Sequence, residues 1–198
     1  MSLFALYFSN FEKSLTLKYP FPGLIGKIFK FVNFSPFLIF LNAAIEAKAN
    51  AIVLLSSFNG FLLPPLDSKI IFEALIKSLE HNYSVDPSRR YIGGLSMGGM
   101  GTFELVSRNP DFFAAAFPIC GGANPNWAPL LSKTHLWIFH GEKDDVVWVE
   151  HSKRMFKALK ELYAPVRFTL YPDVKHDSWH YTFTNPDLMK WLFNKTKK

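Results

Sequence analysis

The sequence predicts an α/β fold, with a mostly parallel central sheet flanked by helices. Three observations predict it. From about residue 66 onward, strand-like and helix-like segments alternate, the pattern of βαβ units. The strand-like segments are short apolar runs without strict alternation, as expected of a parallel sheet covered on both faces. A glycine-rich turn over 93–101 joins one such run directly to a helical segment.

The elements follow in order. Residues 37–41 and 51–55 read as strands in a first third that is otherwise less regular. The apolar region 31–45 contains Asn33, Ser35, Pro36 and Asn42, so it reads as a buried strand with an adjoining loop. A membrane-spanning helix would need about 20 apolar residues, and none is expected. Ile71, Leu75 and Leu79 recur at i+4 and predict a helix over 68–82, with Asp67 or Ser68 as its N-cap. Asp86-Pro87-Ser88 is a turn. Strands are expected over 90–95, 114–120, 136–140 and 166–171. Helices are expected over 97–108, stopped by Asn109-Pro110, over 150–163 and over 186–194. In the helix 150–163, Met155, Phe156, Leu159 and Leu162 should face inward and Lys153, Arg154, Lys157 and Lys160 outward.

Composition narrows the classes. A length of 198 residues fits one domain over 1–198, and a hydrophobic share of 49% excludes a disordered chain. The net charge is +6, but three lysines fall in the last four residues, which reads as a solvated end. With no basic stripe or stacking motif, no nucleic-acid partner is expected. The single cysteine, Cys120, excludes an intramolecular disulfide and a cysteine-based zinc site. It fits a reducing compartment, and the start of the chain lacks a basic segment before its apolar stretch, so the cytoplasm is the expected location, with secretion as the alternative. No His/Glu pair has metal-ligand spacing on a helix, so neither metal nor cofactor is expected.

Gly94-Leu95-Ser96-Met97-Gly98 matches Gly-x-Ser-x-Gly, a pattern that arises by chance about 0.07 times in a chain of this length. Its context adds to the signal. A sharp strand-to-helix turn needs small residues around the serine, and Gly93, Gly94, Gly98, Gly99 and Gly101 supply them. Such a turn exposes the hydroxyl and aims the helix N-terminus at the same point. A serine nucleophile needs a base, and the base an orienting carboxylate. Asp144 follows the strand at 136–140 and His176 follows the strand at 166–171, each at a strand's carboxyl end and in the order Ser, Asp, His. Asp145 is the rival acid and His180 the rival base. His140, at a strand end, is expected to pack under the Asp144 loop. Trp127, Trp148 and Trp179 are candidates to line an acyl or aryl pocket, or to pack in the core.

On these stretches, together with Pro110-Asp111-Phe112-Phe113, Pro118-Ile119-Cys120-Gly121-Gly122 and Asn185-Pro186-Asp187-Leu188, residues 66–195 resemble the α/β-hydrolase superfamily. The resemblance is to its small esterases, the phospholipase/carboxylesterase-like, feruloyl-esterase-like and predicted serine peptidase group. It implies Ser96 as nucleophile, Asp144 as acid, His176 as base and the Met97 N–H as one oxyanion donor. The first third departs from the family and implies a shortened or degenerate N-terminal part. The family's His-Gly-x-Gly loop, source of the second oxyanion donor, is best placed at 42–48, where only Ala44 and Glu46 fit. Ala43 or Ala44 would then supply that N–H.

The resulting expectation is a serine hydrolase cleaving small-molecule carboxylic esters through an acyl-enzyme. The unrecognisable His-Gly loop keeps a second expectation open, a catalytically weak or inactive hydrolase-fold binding protein. A peptidase or acyltransferase is the third, because fold and triad do not fix the scissile bond or the acyl acceptor.

Overall fold

The structure is a computed structural model. It describes residues 86–197, residues 76, 77, 80 and 81 of a preceding helix, and the strands 2–8, 15–18 and 51–57. Among the described residues the sheet has seven strands in the order β2-β1-β3-β4-β5-β6-β7. These are β1 (Ser2–Phe8), β2 (Leu15–Lys18), β3 (Ala51–Ser57), β4 (Arg90–Leu95), β5 (Ala115–Ile119), β6 (His135–Gly141) and β7 (Val166–Tyr171). From β3 to β7 every pairing is parallel, while β1 runs antiparallel to both β2 and β3.

The helices are α1 (Met97–Arg108), α2 (Ala128–Leu131), α3 (Val149–Glu161), α4 (Trp179–Phe183) and α5 (Pro186–Phe193), with a 3-10 turn over Pro125–Trp127 before α2. They cover both faces of the sheet. Tyr91, Phe117, Ile119, Trp137 and Phe139 pack with α5 residues such as Trp191 and Leu192 on one face. Ile92, Ala116, Leu136 and Ile138 pack with Phe103, Leu131, Met155 and Leu159 of α1, α2 and α3 on the other. Successive strand residues thus point into opposite cores. That is why β4, β5 and β6 read as unbroken apolar runs.

The expected strands 90–95 and 166–171 and the expected helix 97–108 coincide with β4, β7 and α1. The strand expected at 51–55 runs two residues longer, to Ser57. Residues 76, 77, 80 and 81 are helical, as expected of 68–82; the rest of that segment, the strand expected at 37–41 and the region 31–45 lie outside the described residues. Helix α3 ends at Glu161, not Tyr163, and Leu162 is 44% exposed where it was expected to face inward. The cause is local. Tyr163 takes φ 55°, its N–H bonds Lys160 O, and Ala164 N–H reaches back to Leu159 O. This is a Schellman ending, with tyrosine where glycine is usual. The elements α2, α4, β1 and β2 carried no expectation. Pro125 and Pro129 each stand in the first turn of a short helix, where the missing N–H costs nothing.

Two close approaches set the strand ends. Gly93 faces Phe117 across the β4–β5 register, and a Cβ on Gly93 would fall 2.2 Å from the Phe117 ring. A Cβ on Gly99 would lie 2.6 Å from Ile119 O, and one on Gly121 2.6 Å from Gly99 C. Only residues without side chains let the start of α1 sit against the end of β5.

Candidate active site

Ser96 sits between β4 and α1, at φ 55° and ψ −120°. A non-glycine residue in that region is strained, and the surrounding structure must hold it there. Ser96 N–H donates to Ile119 O at 2.9 Å, and Ser96 O accepts the first helical bond of α1 from Met100 N–H at 3.1 Å. The turn therefore presents Oγ beside the N-terminus of α1, whose first N–H groups have no partner within the helix. Met97 is the first of them.

His176 follows β7, in the loop before α4, and is half-buried. Its Nε2 lies 2.9 Å from Ser96 Oγ. Its Nδ1 lies 2.9 Å from Asp144 Oδ2 and 3.1 Å from Oδ1. Two carboxylate oxygens facing Nδ1 place the ring hydrogen there, which leaves the Nε2 lone pair for the serine hydroxyl. The Trp179 ring meets His176 edge-on, with centroids 5.5 Å apart.

Asp144 lies just past β6 with its side chain fully buried. Burial alone would push its carboxyl up, but donation from the His176 ring and from the N–H groups of Val147 and Val146 holds it below the usual carboxylate range. Those backbone bonds to Oδ1 are 2.8 and 2.9 Å long. The side chain is thus kept as an anion inside the protein.

The structure brings Ser96, Asp144 and His176 into one hydrogen-bonded chain. It does not bring the rivals there. Asp145 is exposed and pairs with Lys175 Nζ at 3.1 Å. His180 lies in α4, its ring centroid 5.7 Å from that of Trp179. Trp127 packs against the core beneath α1 and α3, and Trp148, on the Asp144 loop, is 70% exposed. Ala43 and Ala44 lie outside the described residues. His140 is buried beneath Asp144, as expected. Sequence reasoning did not find the bonds it makes there or the part taken by Ser152, because partners from a strand end and a helix leave no short spacing to read.

Cys120 closes β5 at φ 40°, fully buried. Burial pushes its thiol up to about 12. One ligand atom each from Cys120, Asp144 and His176 lie within 4.8 Å of one another, so the three could contact a cation. The thiol is protonated at neutral pH, however, and Asp144 and His176 are already bonded to each other. That group fits a metal only if the Ser96–His176–Asp144 chain is broken.

A strained serine at a strand-to-helix turn, a histidine and a buried acid at successive strand ends, and a sheet with this order are the fold of an α/β hydrolase. The chain belongs to the dienelactone hydrolase family, whose pattern matches residues 46–186. It is 44% identical over 48 residues to poly(3-hydroxyalkanoate) depolymerase C from Paucimonas lemoignei, covering 24% of this chain and 12% of the relative. It is 34% identical over 74 residues to a bifunctional acetylxylan esterase/xylanase from Neocallimastix patriciarum, covering 37% and 11%. A solved thermostable esterase superposes with a TM-score of 0.63 at 36% identity, over 66% of this chain and 37% of that one. The chain therefore spans little more than a third of the solved esterase, and far less of the curated relatives. No helix among the described residues is long and apolar enough to cross a membrane.

Proposed function

We propose that the chain is a serine hydrolase of carboxylic esters, acting through an acyl-enzyme on Ser96. One observation carries the reading: the His176 ring spans Ser96 Oγ and Asp144 Oδ2, each at 2.9 Å. In the first step Oγ bonds the ester carbonyl carbon while its proton passes to His176 Nε2. The carbonyl π pair moves to oxygen, and the Met97 N–H at the start of α1 stabilises it. The buried Asp144 carboxylate holds the tautomer and stabilises the imidazolium. Collapse breaks the bond to the alcohol oxygen, which leaves with the proton from Nε2. Water then attacks the acyl-enzyme by the same route, returning Ser96 and releasing the acid.

The substrate class follows from the surroundings and the relatives. Met97, Val146 and Trp148 are exposed apolar side chains on the segments that carry Ser96 and Asp144. They suit an acyl or aryl group. The names of the relatives, a polyester depolymerase and an acetylxylan esterase, make ester bonds of polymers the first to try.

The test is labelling with a fluorophosphonate, read by intact and peptide mass, with Ser96→Ala and His176→Ala as controls. Stoichiometric labelling at Ser96 that vanishes in both variants supports the reading. A panel of aryl esters, acetylated xylan, poly(3-hydroxybutyrate) and matched amides then separates esterase from peptidase. A folded protein that takes no label overturns it in favour of a binding protein.

A further inference from the structure

Asp144 has a partner that the proposed mechanism does not use. His140, fully buried near the end of β6, points its Nε2 at two acceptors, Val147 O at 2.9 Å and Asp144 Oδ2 at 3.1 Å. A lone pair there would face two oxygens, so Nε2 carries a hydrogen. Its Nδ1 lies 2.8 Å from Ser152 Oγ, in α3. Burial holds His140 below the ordinary histidine range and so favours the neutral ring. In that state Nδ1 is an acceptor, and the single hydrogen of the Ser152 hydroxyl is shared between it and Gly121 O, 2.9 Å away.

The two oxygens of Asp144 are then held differently. Oδ1 is gripped by the Val146 and Val147 N–H groups. Oδ2 takes the His176 Nδ1–H at 2.9 Å, and among the described residues His140 is its other donor. Without His140, the carboxylate plane would be fixed only at the oxygen that His176 uses less. We infer that His140 is a second imidazole on the triad acid, a positioning residue that fixes Asp144 Oδ2 for His176 and draws off part of its charge. Ser152 orients His140 in turn, through Nδ1. The titratable groups facing this pair are His176 and the Cys120 thiol of β5. Asp145, Lys175, Asp177 and His151 lie on the exposed side of the same elements.

The inference rests on the proposed triad, so its test has one arm that does not. In wild-type protein with nitrogen-15 histidine, NMR should find His140 as the Nε2–H tautomer near neutral pH. The Nδ1–H tautomer overturns the inference. The second arm is kinetic, on a chromogenic aryl ester across pH. His140→Phe keeps the ring volume and removes both nitrogens; His140→Gln keeps an N–H donor near Nε2. The Phe variant should lose about 10- to 100-fold in kcat with KM within about twofold, because charge-assisted bonds and small misplacements have that weight. It should also move the acid limb of the profile to higher pH. Removing a donor from the more negative state of the Asp144–His176 pair makes proton uptake by the pair easier. The Gln variant should recover most of both. A Phe variant with an unmoved acid limb, or a Gln variant as impaired as Phe, overturns the inference and leaves His140 as packing. If wild type takes no fluorophosphonate at Ser96, the triad reading fails by itself, and the tautomer still decides whether His140 holds Asp144.

Discussion

The two rims of the sheet differ in the charge they bury. At the amino ends of the strands, ionic groups sit near water: Lys133 pairs with Asp111 at 3.1 Å with both side chains more than half exposed. Arg90, at the start of β4, is buried, but it lies over the Phe112 ring at 4.3 Å and pairs with the half-exposed Glu80. The carboxyl ends carry exposed pairs too, Lys143 with Asp173 and Lys175 with Asp145, but there one carboxylate is also drawn inside. The Asp144 carboxylate is fully buried between two imidazoles, and Ser96 and Cys120 hold left-handed backbone at neighbouring strand ends. A fold seeking only stability would have no use for the second arrangement. A strained serine beside a buried carboxylate held by two imidazoles marks the carboxyl rim as the candidate place for chemistry.

That contrast can be broken or sharpened by experiment. The largest effect should come from Ser96→Ala, which is expected to cost about 10⁶-fold in ester turnover with the fold intact, measured by kcat and circular dichroism. Asp144→Asn should cost about 10⁴-fold, because an amide cannot favour the Nδ1–H tautomer of His176. Gly99→Val forces a side chain against Ile119 O and should destabilise the protein by about 3 kcal/mol, read as a lower urea midpoint. The pH dependence of stability should follow the carboxyl rim. His140 is held below its ordinary range when folded, so the unfolded chain binds protons more readily as pH falls below about 6.5. Stability should therefore drop there, and drop again at lower pH as the depressed Asp144 is protonated. Thermal melts from pH 8 to 2 check this, and His140→Phe should flatten the first drop. The smallest effect belongs to the amino rim: Lys133→Ala should change stability by no more than about 0.5 kcal/mol.

The parts legible in the sequence were those whose cause is local. The Ser96 turn was legible because its glycines stand within a few residues of the serine. Asp144 and His176 were legible because each follows an apolar run at a strand's carboxyl end. Strands β1 and β2 were not, since the first third of the sequence lacks the regular alternation of strand-like and helix-like segments that marks the rest. The true end of α3 was hidden because Tyr163 does the work of a glycine. The tie from His140 to Asp144 and Ser152 was out of reach for another reason. It joins β6, its following loop and α3, and only the folded sheet brings them together.

Cys120 has a use outside catalysis. It is the only cysteine in the chain, it has no exposure, and burial pushes its thiol up to about 12. A neutral, enclosed sulfur is nearly inert to alkylating reagents, whereas the same sulfur in opened chain is an ordinary thiol. The rate at which iodoacetamide modifies native protein would thus count how often the end of β5, beside Ser96, comes apart. The chain carries a built-in clock for the opening of the rim that holds Ser96.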